Sequence, residues 1–394
     1  MIAPGATLTL EIEKPAAGGR MLARHQGQVL LVSNAIPGER VLARVERAGK
    51  GVAFAEAIEI LAASPDRRPA ADWRCGGNLL AHVGYVRQLT IKGEIIRDAF
   101  TRIAKAPLTV APVMVASPEQ GYRMRARLHG SDGRFGFYRE GTHQLCEPAV
   151  TGQLLPSTIA WLREVESAIP AAAANAVRGL EISEDIAGGQ RAAWLDTAGD
   201  ATWFAPWAGP ELIVDHLAVS GAAPVVVQRS ARSFFQGNRF LLERLVAHVI
   251  DQVPEGPVVD LYAGVGLFGL ALAARGSEVT LVEGDYSSGR DLEVNAAAYP
   301  GRARVSRASV EEYLTRAPRT AVVIDPPRTG LSKDAIQGLL RMSPPAITYV
   351  SCDPATLARD ARIFIDAGYE PGPVTGFDLF PNTAHVESVV AFSR

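Results

Sequence analysis

The stretch DLYAGVGLFG, Asp260 to Gly269, decides the fold. It follows the apolar run PVV and opens onto LFGLALAAR, whose residues suit a buried helix. Gly264, Gly266 and Gly269 spell G-x-G-x-x-G, and Glu283 closes the next apolar run, EVTLVEGD, 19 residues after Gly264. Glycines at a strand-to-helix turn let a ligand approach the backbone, and the helix N-terminus faces it. An acid one strand further on can hold a ribose diol. A nicotinamide- or flavin-dependent oxidoreductase and an enzyme using another adenosine cofactor both fit. A tight turn that only packs a helix leaves the same signature.

Working outward, RFLLERLVAHVIDQV before the stretch reads as a helix, and TAVVIDPP, ITYVSCDP and SVVAFS after it read as strands. Strands alternating with helices predict a doubly wound α/β domain after Gln228. Reactive residues gather where those strands end. Asp325-Pro-Pro-Arg328 closes one strand, Ser351-Cys352-Asp353-Pro354 closes another, and the segment from Pro381 to Glu387 precedes the last. Ligands in such sheets bind outside the carboxyl ends of the strands. An acid, a thiol and a second acid beside a nucleotide-type pocket argue for covalent chemistry, which hydride transfer does not need.

Upstream, TLTLEIEK, GQVLLVSN, RVLARVERA and VAFAEAIEIL alternate, with Gly18-Gly19, Pro37-Gly38 and Gly49-Lys50-Gly51 between them, predicting a small β-barrel over 1–62. Ser64 to Gly77 is a polar connector. Over 85–104, Leu89, Ile91, Ile95, Ile96, Ala99, Phe100 and Ile103 recur at helical spacing, predicting an amphipathic helix. Residues 110–228 read as strand-rich with one helix near 151–166. In GYRMRARLHG, Arg123, Arg125 and Arg127 alternate with Met124, Ala126 and Leu128, so a strand would carry three guanidiniums on one face at about 7 Å intervals, near the phosphate spacing of a single strand.

The formal net charge of -2 conceals a partition. Arg67 to Arg139 holds 13 Lys/Arg and 5 Asp/Glu, a balance of +8, and the rest of the chain carries -10. A region this basic suits a nucleic-acid backbone, or else is a solvated face. Three widely spaced cysteines exclude a disulfide scaffold and fit a reducing, cytoplasmic compartment. Met1 to Lys14 lacks a signal-peptide pattern, and no run of about 18 apolar residues offers a membrane span.

At these residues the chain resembles the RNA uridine-5-methyltransferases, which use S-adenosylmethionine. GGRMLARHQGQVLLVSNAIPGERVLARV is similar to their N-terminal TRAM barrel, GYRMRARL to their arginine strand, and FFQGN (Phe234 to Asn238) to their aromatic-x-Gln-x-Asn segment. DLYAGVG, IDPPRTGL, VSCDP and the closing DLFPNTAHVES complete a likeness spanning nearly the whole chain. The resemblance implies a Rossmann-like α/β methyltransferase domain over 85–110 and 229–394. It also implies a strand-rich central RNA-binding domain over 63–84 and 111–228, and a TRAM/OB-like barrel over 1–62. It implies a monomeric enzyme acting on RNA, ribosomal more than transfer RNA.

The resemblance also assigns residues. Tyr262, Gly264, Gly266, Glu283 and, by a looser alignment, Ser309 fall in the cofactor site, while Gln236 and Asp325 close on methionine and target base. Phe234, Arg123, Arg125, Arg127 and Arg328 would touch RNA. Cys352 aligns with the nucleophile and Glu387 with the proton-abstracting base. Uracil C5 is a poor nucleophile until a thiolate adds at C6, so covalent catalysis divides a hard step. Base extrusion favours loops or single strands, where unstacking costs least. Some members bind a [4Fe–4S] cluster near a CGGC segment. Here that segment is Cys75-Gly76-Gly77-Asn78, and with Cys146 only two ligands of four remain, so no cluster is expected and both cysteines read as buried hydrophobes. A non-catalytic RNA-binding protein is the remaining alternative.

Overall fold

The computed structural model describes residues 2–49, 51–69 and 72–394; Lys50 of the Gly49–Gly51 turn and Ala70–Ala71 of the connector lie outside the described residues, as does Met1. Strands β1 (Thr7–Pro15), β2 (Met21–His25), β3 (Gln28–Ser33), β4 (Arg40–Ala48) and β5 (Val52–Ala62) close into a barrel in the order β1-β2-β3-β5-β4. In β4 the alternation is visible directly: Val41, Ala43 and Val45 are buried while Arg40 and Arg44 face out.

Helix α1 (Tyr85–Ala99) runs on into a π turn, Phe100–Ala104. Ile91 and Ile95 pack into the barrel core, whereas Ile96, Ala99 and Phe100 join the core of the C-terminal sheet. Ile103, expected on the apolar face, is exposed, because the wider turn carries it off the helical stripe. Strand β6 (Val113–Val115) follows. The central region contains β7 (Arg125–Ser131), β8 (Arg134–Tyr138), β9 (Leu145–Cys146), α2 (Pro156–Ala168), β10 (Val177–Glu184) and β11 (Arg191–Thr197), with sheet order β11-β10-β7-β8-β9. Helix α2 starts later than 151 because Pro156 occupies its first turn, where its missing N–H costs nothing. A hairpin, β12 (Leu212–Leu217) and β13 (Val225–Ser230), leads out of the region.

The C-terminal unit comprises α3 (Leu242–Ile250), β14 (Val258–Leu261), α4 (Leu267–Ala274), β15 (Val279–Val282), α5 (Tyr286–Ala296), β16 (Ala303–Ser306), α6 (Val310–Tyr313), β17 (Ala321–Ile324), α7 (Lys333–Met342), β18 (Ala346–Ser351), α8 (Pro354–Asp366), β19 (Glu370–Pro371), β20 (Thr375–Phe377) and β21 (Glu387–Ser393). Its sheet runs β16-β15-β14-β17-β18-β21-β20-β6, with β19 beside β21. Strands β14 to β18 are parallel, and β14 and β17 are buried throughout, as helices on both faces require. The chain leaves β14 toward β15 on one side and reaches β17 on the other, which opens a crevice at the carboxyl end of β14.

Three sequence expectations change. Residues 111–228 do not form one central unit: β6 is an edge strand pairing with β20, and Leu217, Val225 and Val227 of the hairpin pack into the C-terminal core. Cys75 and Cys146 are buried but not separate; they form a disulfide, with Cα atoms 5.7 Å apart, because Cys75 bridges to Arg139 beside the β8–β9 hairpin. The basic region is partly compensated from outside itself, since Arg67 pairs with Glu39, Arg74 with Glu56, Lys92 with Asp378 and Arg125 with Glu181. These four pairs offset half of the +8 and tie the region to other parts of the fold.

Candidate active site

The glycine turn is built for close approach. Gly264 has φ +58, and a side chain there would point into open space. Gly269 is closed on the other side, because an added Cβ would lie 2.2 Å from Leu281 and 2.8 Å from the Asp260 carboxylate. Tyr262 holds φ 61, an unusual conformation for an aromatic residue, which turns the chain out of β14. Glu283, at the end of β15, spans the turn: one oxygen accepts the Gly264 N–H at 2.8 Å and the other the Asp285 N–H at 2.6 Å. Burial lifts the Glu283 carboxyl above its usual range. Asp260 accepts from the Gly269 N–H at 2.8 Å and is pushed up to about 8 by burial, its other oxygen having no partner among the described residues.

In front of this turn lies a cavity of about 520 Å³. Phe234, Gln236, Tyr262, Gly264, Glu283, Asp325, Arg328, Cys352 and Glu387 line it, so nine of the residues singled out from sequence converge there. Gly266 sits one step behind, and a Cβ would meet Leu270 and Leu292. Ser309 does not line the cavity; its hydroxyl accepts from the Glu312 N–H and caps α6. Arg232, Asp285, Ser288 and Phe380 also line it, none of which stood out in the sequence. The alternation of Arg232 and Phe234 outward with Ala231, Ser233 and Phe235 inward was the available signal.

Gln236 donates from Nε2 to Asp325 at 3.1 Å. Burial pushes Asp325 up to about 7. Cys352 follows β18 and precedes Asp353, which caps α8 by accepting the Ala355 and Thr356 N–H groups. Strands β18 and β21 are antiparallel, and their register ends at Ser351 opposite Ser388, so one further step sets Cys352 against Glu387. Residues facing one another in this way have Cβ atoms about 4.5–5.5 Å apart. Burial first, then the Glu387 charge, raises the Cys352 thiol to about 12, and Arg328 opposes the rise. Glu387 is raised well above the ordinary carboxylate range by burial and by Asp325, again against Arg328, and its Oε1 has no hydrogen-bond partner among the described residues. Buried carboxyl oxygens are nearly always hydrogen-bonded, so this one stands out.

The loop carrying these groups is pinned by α1. Lys92 is fully buried, pairs with Asp378 and donates to the Phe380 carbonyl at 3.1 Å. Gln88 donates to the Asn382 side chain at 2.9 Å and accepts the Asn382 N–H at 2.9 Å. His385 stays near the cavity rim against Phe380, its ring held down to about 4 by burial and by Arg328, Lys92 and Arg123.

The three arginines do not form one exposed row. Strand β7 begins at Arg125, so Arg123 lies outside it, where its Nη1 donates to Gln153 at 2.6 Å and its guanidinium carbon lies 5.8 Å from the Phe380 ring centre. Arg125 is half-buried against Glu181, and Arg127 alone has a largely exposed side chain.

Comparison with known proteins fits this geometry. The family model tRNA (Uracil-5-)-methyltransferase matches residues 297–394, which carry Asp325, Cys352 and Glu387, and the TRAM domain model matches 3–58. A 23S rRNA (uracil-C(5))-methyltransferase RlmD of Halomonas elongata is 31% identical, over 97% of this chain and 88% of that protein. The chain belongs to the RNA uracil-5-methyltransferase family. The RlmD of Pseudomonas putida is likewise 31% identical, over 98% of this chain and 94% of that protein. The tRNA (uracil-54, C5)-methyltransferase of Pyrococcus abyssi, solved with S-adenosyl-L-homocysteine, shares the fold at 24% identity and a TM-score of 0.77, covering 97% of this chain and 99% of that one.

As a member of the family, this RNA uracil-5-methyltransferase uses S-adenosylmethionine, which settles the choice the glycine turn left open between adenosine cofactors. The residues present fit that group: an open Gly264, the Glu283 carboxylate across the turn, and a cavity continuous with Asp325 and Cys352. Its substrate is RNA, and the N-terminal barrel is a TRAM domain. Among the described residues no helix is long and apolar enough to cross a membrane.

Proposed function

We propose that the enzyme methylates C5 of one uridine in 23S ribosomal RNA through a covalent bond between Cys352 and uracil C6. The observation that carries the covalent route is the β18–β21 register, which faces Cys352 with Glu387 at the rim of the cofactor cavity. When bound, S-adenosylmethionine supplies an electrophilic methyl group on a positively charged sulfonium.

Cys352 gives up its thiol proton to solvent and its sulfur bonds to C6, while the C5=C6 electron pair moves onto C5 and O4 as an enolate. Asp325, fixed by Gln236, accepts a hydrogen bond from uracil N3–H and so selects the base edge. Held beside Tyr262, Gly264 and Glu283, the donor would supply its methyl group to C5 and leave as the neutral thioether S-adenosylhomocysteine. The Glu387 carboxylate takes the C5 proton; the released pair restores C5=C6, and the C6–sulfur bond breaks to return the Cys352 thiolate. Arg328 is the neighbouring cation that favours the ionised forms of both Cys352 and Glu387. Tyr262, Gly264 and Glu283 would hold the donor, and Gly266 shapes the turn behind them. Phe234, 56% exposed at the rim, stacks on RNA beside the extruded uridine. Arg123, placed beside Phe380 at the rim, and Arg328 face the RNA backbone there.

The ribosomal target rests on the RlmD relatives, which match over nearly the whole chain. Transfer RNA is the second reading, favoured by the substrate of the Pyrococcus abyssi enzyme. Mass-spectrometric mapping of 5-methyluridine in 23S and transfer RNA from a deletion strain decides between them. Loss at the uridine that RlmD modifies is the expected result; loss only in transfer RNA overturns the ribosomal assignment.

A further inference from the structure

The central sheet presents a face that the steps above do not use. Strand β10 stands between β7 and β11, and Glu181 is registered against Arg127 on one side and Trp194 on the other. Residues of the opposite face, Leu180, Ile182 and Leu195, are buried in the central core, so Arg127, Glu181 and Trp194 form one outward rank. Trp194 is 38% exposed. The Arg232 guanidinium lies over its indole, 5.1 Å from the ring centre. Arg232 also lines the catalytic cavity, next to Phe234. The rank therefore runs without a break from the central sheet to the mouth of the active site.

An indole kept for packing alone would be covered by apolar side chains. Here a planar cation covers it, and both remain open to solvent. Around it stand Arg125, Arg127 and Arg232 against the carboxylates of Glu181 and Asp196, which leaves the surface net positive. Nucleobases stack on indole and on guanidinium planes alike, and an adjacent cation suits the phosphate that accompanies each base.

We propose that this face binds the nucleotide adjoining the target uridine, its base continuing the Trp194–Arg232 stack and its phosphate facing Arg127. The inference rests on the reading of the cavity as the uridine site, since continuity with that cavity fixes which nucleotide is meant. It assigns to Trp194 and Arg232 a share in holding the RNA strand beside the modified uridine.

The test is titration of a fluorescein-labelled single-stranded oligouridine of about 12 nucleotides, a site length typical of stacking grooves. Trp194→Ala is expected to weaken binding roughly 5- to 150-fold, the range for loss of one base stack. Trp194→Phe should recover most of it, and affinity for S-adenosylhomocysteine should stay unchanged in both variants, which separates a lost contact from a damaged fold. Equal binding by wild type and Trp194→Ala, or no binding by the wild type, overturns the inference. Methyl transfer to 23S rRNA from the deletion strain is scored separately. Transfer without any Trp194 effect removes the stacking face alone, whereas a Trp194 effect without transfer removes the ribosomal reading alone.

Discussion

Cys352 and Glu387 stand at facing ends of two antiparallel strands, one step beyond the pair Ser351–Ser388. That placement joins a thiol and a carboxyl group from segments separated by helix α8 and the loop 378–386, and it makes their functions separable by mutation.

Cys352→Ala should abolish covalent capture of RNA containing 5-fluorouridine and lower methyl transfer on the order of 10³-fold or more. S-adenosylhomocysteine should still bind, because Cys352 lies past the glycine turn. Calorimetry together with denaturing electrophoresis of the protein–RNA adduct checks both outcomes; a variant that still forms the adduct would falsify the nucleophile assignment.

Glu387→Gln should stall after methylation. Without a carboxylate to remove the C5 proton, the methylated adduct persists, and a protein–RNA species should accumulate only when S-adenosylmethionine is supplied. Intact-protein mass spectrometry reads the adduct with its added methyl group. Normal turnover in this variant would move the proton-abstracting role elsewhere.

Methyl transfer should rise with pH across neutrality. Asp325, raised to about 7, accepts the uracil N3–H more strongly once ionised, and Cys352 and Glu387 are both raised and both needed in deprotonated form. Single-turnover rates should therefore fall as pH drops below about 7 and climb toward alkaline pH. A profile flat from pH 6 to 8, roughly a unit on either side of that value, would exclude these groups from the reaction.

Asp260 affects stability in the opposite sense. Its folded pKa of about 8 lies above the unfolded value of 3.8, so the stability it contributes is complete below the unfolded value and is lost as pH rises through 8. Thermal unfolding of the wild type should shift downward between acid and mildly alkaline pH, and Asp260→Asn should reduce that shift. An equal shift in both proteins would place the titration elsewhere.

Lys92→Met should destabilise the fold by about 3–5 kcal/mol, because it strands the buried Asp378 carboxylate. Adding Asp378→Leu should restore much of that loss by removing the stranded charge. Urea unfolding of the single and double variants measures both steps. A double variant no more stable than Lys92→Met would show that the Phe380 carbonyl contact, rather than the ion pair, carries the effect.

The sequence announced what depends on order along the chain: the glycine turn, the strand-end acids, and the thiol before Asp353. Local patterning identified these because each sits where a strand stops. It misread features whose partners are distant. Nothing in the helical pattern over 85–104 singles out Lys92, whose partner Asp378 lies 286 residues away. Arg123 shared the period of Arg125 and Arg127, but its backbone bridges to Asn238 instead of entering β7. Cys75 and Cys146 read from sequence as separate buried hydrophobes because nothing local predicts that the connector crosses the β8–β9 hairpin. Ser309 rests on a loose alignment alone, and the nearby N–H of Glu312 occupies its hydroxyl.

Helix α1 gives one face to the barrel through Ile91 and Ile95 and another to the catalytic sheet through Ile96 and Phe100, while Gln88 and Lys92 grip the segment leading to Glu387. No hinge is left between the two cores along this rod. The barrel and the catalytic sheet should melt together in one transition, and a load placed on the barrel by a long RNA should be felt at the proton acceptor instead of being absorbed by a linker.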